Sequence, residues 1–414
     1  MRILYLHQHY SAPDGATATR SHAFATALMA RGHQVTMACG RYEGAATGLS
    51  GPYHRGRRKG QARGLRIIEF DIPCGNAQGF GARSLAFGRY AVRAARLALG
   101  ESWDLVIASS TPLTVTLPAL LARRLKGTPF LYEMRDPWPE LPRAMGGVPG
   151  WALAGMGTMA NAACRQASAV VALSEGMAET AVARGAAPER VHVVPNGCDL
   201  DLFGPHIQPW RPPEAAPWEV LAVYAGAHGR ANGLDQLLDA AAMLRARGEQ
   251  RIRLLLVGEG GEKPRLRAEA AARALHNVSF LPPLPKRQLA SLLAGAQVGL
   301  HCLAPVPEFA EWTAPNKLMD YLAAGLPVVS NLPGRAARLL AEGPCGIATP
   351  PGDAEALAGA LVRMADNPRQ RGTMGRAARE QAVRRWDRRL LARQFIDVVE
   401  STAETAPTPA LAAA

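Results

Sequence analysis

Pro315-Asn316-Lys317-Leu318-Met319-Asp320-Tyr321-Leu322-Ala323-Ala324-Gly325-Leu326-Pro327-Val328-Val329-Ser330 runs helix, glycine turn, strand. Lys317–Ala323 has helical spacing of apolar residues, Gly325 is the turn, and Pro327–Ser330 is a short apolar strand. The same alternation extends upstream through strands Val220–Ala225, Ile252–Val257, Val278–Leu281 and Val298–His301, with helices Leu234–Arg245, Lys263–Leu275 and Gln288–Leu293 between them. Downstream lie helices Ala354–Ala365, Pro368–Arg385 and Arg388–Glu400. The first half shows it too, with strands Ile3–Leu6, Gln34–Ala38, Leu65–Phe70, Leu105–Ala108, Phe130–Glu133, Ala169–Leu173 and Val191–Val194. Its helices are Ser21–Arg31, Ser84–Leu99 and Pro118–Leu125. Repeated strand–helix alternation predicts parallel sheets covered on both faces.

A chain of 414 residues exceeds one ordinary hydrophobic core. The expected division is a first Rossmann-like domain over 1–203, a proline-rich extended connector over 204–218 and a second such domain over 219–383. A helix over 384–401 is expected to cross back to the first domain, followed by a disordered tail over 402–414. Hydrophobic residues make up 48% and charged residues 20%, a globular composition. Six scattered cysteines lack the paired spacing of a zinc site or disulfide framework. No secretory signal opens the chain, and no apolar run is long enough to span a bilayer, which predicts a cytoplasmic protein. The formal charge of +13 suits nucleotide phosphates or acidic lipid. Nucleic acid is disfavoured, because no aromatic platform is interleaved with the cations. The polybasic run from His54 to Arg66 reads either as a solvated loop or as a membrane-surface contact.

Ligands of such sheets bind beyond the carboxyl ends of the strands. Beyond the first strand come His7 and His9, then Asp14-Gly15-Ala16-Thr17-Ala18-Thr19-Arg20, which opens a helix. Beyond Phe130–Glu133 come Met134-Arg135-Asp136; charged groups abutting an apolar strand end must be paired or functional. Later turns are Val194-Pro195-Asn196-Gly197-Cys198-Asp199, Gly226-Ala227-His228-Gly229-Arg230-Ala231-Asn232-Gly233 and Gly258-Glu259-Gly260. No metal-ligand spacing is present, so metal-independent chemistry is expected.

This ordered set resembles glycosyltransferase family 4 over roughly residues 1 to 400. The resemblance rests on Ser174, Pro195-Asn196-Gly197 with Asp199 and Phe203, Gly258-x-Gly260, and Ala324-Gly325-Leu326-Pro327-Val328. The branch that builds O-antigen or capsule units on a lipid carrier is suggested by Ser109-Ser110-Thr111-Pro112-Leu113 and by Glu133-Met134-Arg135-Asp136-Pro137-Trp138.

The resemblance implies a GT-B fold, two Rossmann-like doubly wound domains facing a cleft. It also implies a retaining transfer from a UDP- or GDP-linked sugar to a lipid-linked or saccharide acceptor, with no cofactor and no metal. Donor contacts would come from Gly15, Gly226, His228, Gly229, Arg230, Gly258, Gly260, Asn316, Lys317 and Asp320. The Gly226–Gly233 amides would wrap the diphosphate, Gly258 and Gly260 would make room for the base, and Asp320 would accept from the ribose. His9 and Arg20 would line the acceptor site, with Glu133, Arg135 and Asp136 at the reacting centre. Arg135 also suits a structural pair with Asp136 or Glu140. The sequence departs from the family at Ala227 and Asn232, where Arg and Lys are usual, and at Trp312 and Asp320, where a Glu-x7-Glu pair is usual. Lys317, Arg230 and His228 are the expected replacements for the missing cations. An epimerase or hydrolase on the same fold, or an inactive donor-binding subunit, are the alternatives.

Overall fold

The computed structural model describes residues 1–15, 19–75, 78–313 and 316–404. The chain forms two compact units, Met1–Pro195 with the chain from Arg389 onward, and Asn196–Arg388.

The first unit carries an eight-stranded sheet. Its strands are β1 (Arg2–Leu6), β2 (Gln34–Tyr42), β3 (Arg57–Ala62), β4 (Leu65–Cys74), β5 (Leu105–Ser109), β6 (Phe130–Met134), β7 (Ala169–Ala172) and β8 (Val191–Val193). They lie in the order β3-β4-β2-β1-β5-β6-β7-β8, parallel except for the antiparallel β3–β4 pair. β1, β5, β6 and β7 are buried along almost their whole length because helices cover both faces. On one face Phe24 of helix Arg20–Ala30 stacks on Phe395 of helix Arg388–Glu404, with ring centroids 4.5 Å apart. That last helix brings the chain back into the first unit, and Phe395 also stacks on Tyr5.

The second unit has strands β9 (Val220–Ala225), β10 (Ile252–Val257), β11 (Val278–Leu281), β12 (Val298–His301), β13 (Val328–Ser330) and β14 (Gly346–Ala348). Their order, β11-β10-β9-β12-β13-β14, is all parallel and reads 3-2-1-4-5-6 within the unit. This is the Rossmann order, with its reversal point between β9 and β12.

Four expectations change. The basic run is not a loop: Arg57–Ala62 is an edge strand whose residues alternate between exposed and half-buried. Arginine and glycine mask its period-2 pattern, yet an edge strand tolerates charge better than a central one. The segment 204–218 is not a free connector. Phe203 and Ala215 belong to the second unit's core, Trp210 N–H donates to Ser291 O, and Arg211 donates to the carbonyls of Ala216, Glu219 and Gly295. Helices Glu140–Met145, Gly150–Gln166, Glu175–Ala183 and Arg335–Glu342 are additional to those expected. Residues 402–404 continue the last helix, and Thr402 is buried; the rest of the expected tail lies outside the described residues.

Candidate functional site

At the reversal point of the second sheet, β9 ends at Ala225 and the chain turns through Gly226–Gly233 into helix Asp235–Ala246. Lys317, in the first turn of helix Asn316–Ala324, reaches into that turn. Its ammonium donates to Tyr224 Oη at 2.8 Å and to Asn232 Oδ1 at 3.0 Å, and lies 4.2 Å from the Tyr224 ring centre. A Cβ on Gly226 would come within 3.1 Å of the Lys317 Nζ, so the glycine gives the lysine its place. Burial pushes the Lys317 pKa from 10.5 down to about 7. Asn232, which stands where the family has lysine, thus holds a lysine that arrives from another helix.

The other expected replacements do not supply charge inside the turn. His228 is fully buried, and burial followed by the nearby Lys263 lowers its pKa to about 4, so it is neutral near pH 7. Neither of its ring nitrogens has a hydrogen-bond partner. Arg230 is solvent-exposed at the start of the short 3-10 turn Arg230–Asn232. Several amides of the turn are spent internally: Gly226 N–H on Val257 O, His228 N–H on Glu259 O and Asn232 N–H on Gly229 O.

Gly258 and Gly260 also read differently in three dimensions. A Cβ on Gly258 would overlap Gly226 O, and one on Gly260 would overlap the His228 backbone. Both glycines let the 226–228 turn lie against the end of β10, so their side-chain directions are taken by the chain's own backbone. Gly15 is likewise packed, because a Cβ there would overlap Ser11 Oγ. Residues 16–18 of its loop lie outside the described residues. Gly229 is open, its nearest neighbour being Asn232 Nδ2 at 3.8 Å from a hypothetical Cβ.

Asp320 is buried, and its Oδ2 accepts from Lys286 Nζ at 2.5 Å, a partner with no signal in the sequence. Burial raises the Asp320 pKa and Lys286 counteracts it. One carboxylate oxygen is therefore committed within the protein. Asn316 opens the same helix, half-buried. Trp312 ends the short helix Phe309–Trp312, and its neighbour Glu311 pairs with Arg338 at 2.6 Å.

In the first unit the reversal point lies between β1 and β5. Glu133 on β6 is fully buried. Its Oε1 accepts from Arg20 Nε at 2.8 Å, and its Oε2 from Ser109 Oγ at 2.5 Å and Tyr5 Oη at 3.2 Å. Burial alone would raise this carboxyl; Arg20, Arg135 and Ser109 hold it below the usual 4.5. Arg20, 1% exposed, also donates to the carbonyls of Val194 and Pro195 and stacks over Phe24 at 4.3 Å. Arg20 and Glu133 are therefore an enclosed pair that positions the ends of β6 and β8. Arg20, expected at the acceptor site, and Glu133, expected at the reacting centre, are thus both enclosed by protein.

Just beyond them, Arg135 is half-buried. Its N–H donates to Ser110 Oγ at 3.0 Å, and its guanidinium to His7 Nε2 at 2.6 Å. Since arginine only donates, His7 Nε2 must accept, and Nδ1–H faces Ser21 Oγ at 2.7 Å. Burial and then Arg135 keep His7 neutral. Asp136, half-buried, accepts from Thr111 Oγ1 at 2.5 Å, and burial raises its pKa. Glu140 is taken by Arg184, so Arg135 pairs with neither acid it was expected to meet. His9 stacks on Tyr42 with ring centroids 4.2 Å apart, and burial followed by Arg135 lowers its pKa to about 3. The structure thus brings His7, Ser110, Thr111, Arg135 and Asp136 together. Ser174 is a helix cap whose Oγ accepts from Met177 N–H at 3.2 Å.

Among the described residues, no group of three or more His, Cys, Asp or Glu side chains could hold a metal ion. No helix among them is long and apolar enough to cross a membrane. All six cysteines are buried and unpaired.

Two Rossmann-like units, each with polar groups gathered at its sheet's reversal point, define a doubly wound α/β class. The family model described as a glycosyl transferase 4-like domain matches residues 15–197, and that described as glycosyl transferases group 1 matches residues 219–367. The chain belongs to the family-4 glycosyltransferases and has the GT-B fold. It is 29% identical over 215 residues to the MMP alpha-(1->4)-mannosyltransferase of Mycolicibacterium hassiacum, covering 51% of this chain and 49% of that protein. The chain thus spans about half the length of the curated relatives it matches. Sucrose-phosphate synthase from Thermosynechococcus elongatus superposes with a TM-score of 0.75 at 18% identity, covering 97% of this chain and 98% of the other. Anabaena HepE in complex with UDP-glucose superposes with a TM-score of 0.68 at 19% identity, covering 97% and 100%. At these identities the likeness to the two structures is one of fold.

Proposed function

We propose that this chain is a retaining glycosyltransferase. It would move a hexosyl or N-acetylhexosaminyl group from a UDP- or GDP-linked sugar to a lipid-diphosphate-linked saccharide at the inner face of the cytoplasmic membrane, in surface-polysaccharide synthesis. The observation that carries the reading is the desolvated Lys317 ammonium on the glycine turn at the reversal point of the second sheet. A diphosphate arriving there meets a cation poor in water, where a charge-assisted hydrogen bond is strong. Amides at Ala227, Gly229, Arg230 and Ala231, which make no backbone hydrogen bond within the turn, are its remaining donors to phosphate oxygens.

As the donor bond breaks, negative charge grows on the leaving diphosphate, and Lys317 stabilises it without a metal. The acceptor side belongs to the first unit. There Arg135, fixed by Ser110 and His7, presents a cation, while Asp136 presents a carboxylate made more basic by burial. Arg20 and Glu133 act as positioning residues behind them. Departure of the diphosphate from the face the acceptor enters accounts for retention, since the leaving phosphate then helps to take the acceptor proton.

The test is incubation with a panel of UDP- and GDP-sugars, with and without a lipid-diphosphate-linked sugar, in the presence of a chelator. Release of nucleoside diphosphate that depends on acceptor and survives chelation supports the proposal. An isomerised donor, or binding without turnover, sinks it.

A further inference from the structure

Seven of the eleven large apolar side chains exposed among the described residues sit on three neighbouring helices of the first unit, Phe80–Gly100, Thr116–Lys126 and Gly150–Gln166. Leu117, Leu121 and Leu125 recur every fourth residue along one side of their helix, and Leu125 is 64% exposed. Leu85 and Val92 stand on the neighbouring helix, and Trp151, 77% exposed, opens the third. Such clustering on one face is not the scatter of single apolar residues normal for a surface. The same three helices carry eight arginines and lysines and no aspartate or glutamate. Arg89, Arg96 and Arg124 are exposed beside the apolar residues. By contrast, three cations of the run from His54 to Arg66 are already paired, Arg58 with Glu69, Arg63 with Asp14 and Arg66 with Glu101.

We propose that this three-helix face docks the protein on an anionic lipid bilayer. Leucines and an exposed tryptophan enter the headgroup boundary, and arginines beside them meet lipid phosphates. An all-cationic apolar face matches a bilayer surface on both counts, whereas water solvates only its charges. The inference rests on the reading of a lipid-linked acceptor, which such docking would bring within reach. The helix expected over Ser84–Leu99 is one of the three elements of this surface.

The test is co-sedimentation of the full chain with vesicles of phosphatidylcholine alone, or with about 30% phosphatidylglycerol, at about 0.15 M salt. The wild type is expected to pellet with the anionic vesicles only. R89Q/R96Q/R124Q should lower that binding roughly a hundredfold, and L117S/L121S/L125S at least tenfold. Both variants should keep wild-type melting temperature and UDP-glucose or GDP-mannose affinity. Wild type staying in the supernatant, or both variants pelleting like it, overturns the proposal. So does concentration-dependent dimerisation that the leucine variant abolishes, because a second copy would then cover the face. Turnover of a water-soluble acceptor without vesicle binding removes the docking surface and leaves the transferase; vesicle binding without turnover does the reverse.

Discussion

Replacing Lys317 with methionine keeps most of the side chain's length and removes only the ammonium. The structure sets the size of the effect. The Nζ is 2.8 Å from Tyr224 Oη and 3.0 Å from Asn232 Oδ1, partners that orient it without neutralising it. A charge-assisted hydrogen bond to phosphate contributes about 1.5–3 kcal/mol, so K317M should bind nucleotide sugar roughly ten- to a hundredfold more weakly. Proton linkage sharpens the prediction. With a free pKa of about 7, half of the Lys317 side chains are neutral at pH 7. A bound diphosphate favours the charged form and raises that pKa. Binding at pH 7 should therefore take up about half a proton, and affinity should fall by up to tenfold per unit as pH rises above 7, while staying flat below pH 6. A nucleotide sugar has no phosphate titrating in this range, so the uptake reports the protein. Isothermal titration of UDP-glucose and GDP-mannose in two buffers of different ionisation enthalpy reads both quantities. Unchanged affinity in K317M, no proton uptake by the wild type, or affinity that rises with pH would each refute the assignment of Lys317 to the diphosphate.

Three further outcomes are expected. Arg20→Leu leaves Glu133 buried without its counter-charge and should cost about 3–5 kcal/mol in urea unfolding. Because Glu133 is held below 4.5 in the fold, its contribution is complete above that pH and is lost as pH falls through the folded value; R20L should therefore flatten the stability profile there. Gly258→Ala forces a Cβ onto Gly226 O at a φ of +146° and should lower stability by about 1–3 kcal/mol, seen as a drop in melting temperature. Arg135→Ala should lower kcat roughly a hundredfold with little change in donor affinity, as expected of a charge needed chiefly in the transition state; an equal loss in donor affinity would move Arg135 out of the acceptor side.

The alternation of strands and helices was readable because most β-strands here are buried on both faces and appear as short apolar runs. Strand order was not, since nothing in Val298–His301 says that it pairs with Val220–Ala225. β3 escaped because six residues carrying two arginines, a lysine and a glycine look like solvent-facing loop. Helix Gly150–Gln166 escaped because its alanines, glycines and methionines give a weak amphipathic period. Within the site, Lys317 was legible from its place in the Pro315–Ser330 motif, but its partner Tyr224 lies 93 residues away. A carboxylate at the end of an apolar strand signalled that Glu133 must be paired, while the partner, Arg20, is 113 residues upstream. Gly258 and Gly260 show the limit of glycine arithmetic. Sequence says only that backbone must come close to something, and here that something is the protein's own 226–228 turn.

The open margin of β3 carries a lesson for handling the protein. Beyond the bridge between His54 and Arg57, its outer amides and carbonyls form a template for another strand, and the exposed Arg57 and Lys59 along it are what repel a second copy. Electrostatic guarding of this kind works over a Debye length, about 8 Å at physiological ionic strength but only about 3 Å at 1 M. Concentrated salt, often added to keep cationic proteins dissolved, would here strip the guard from a sheet margin that can zip onto its twin.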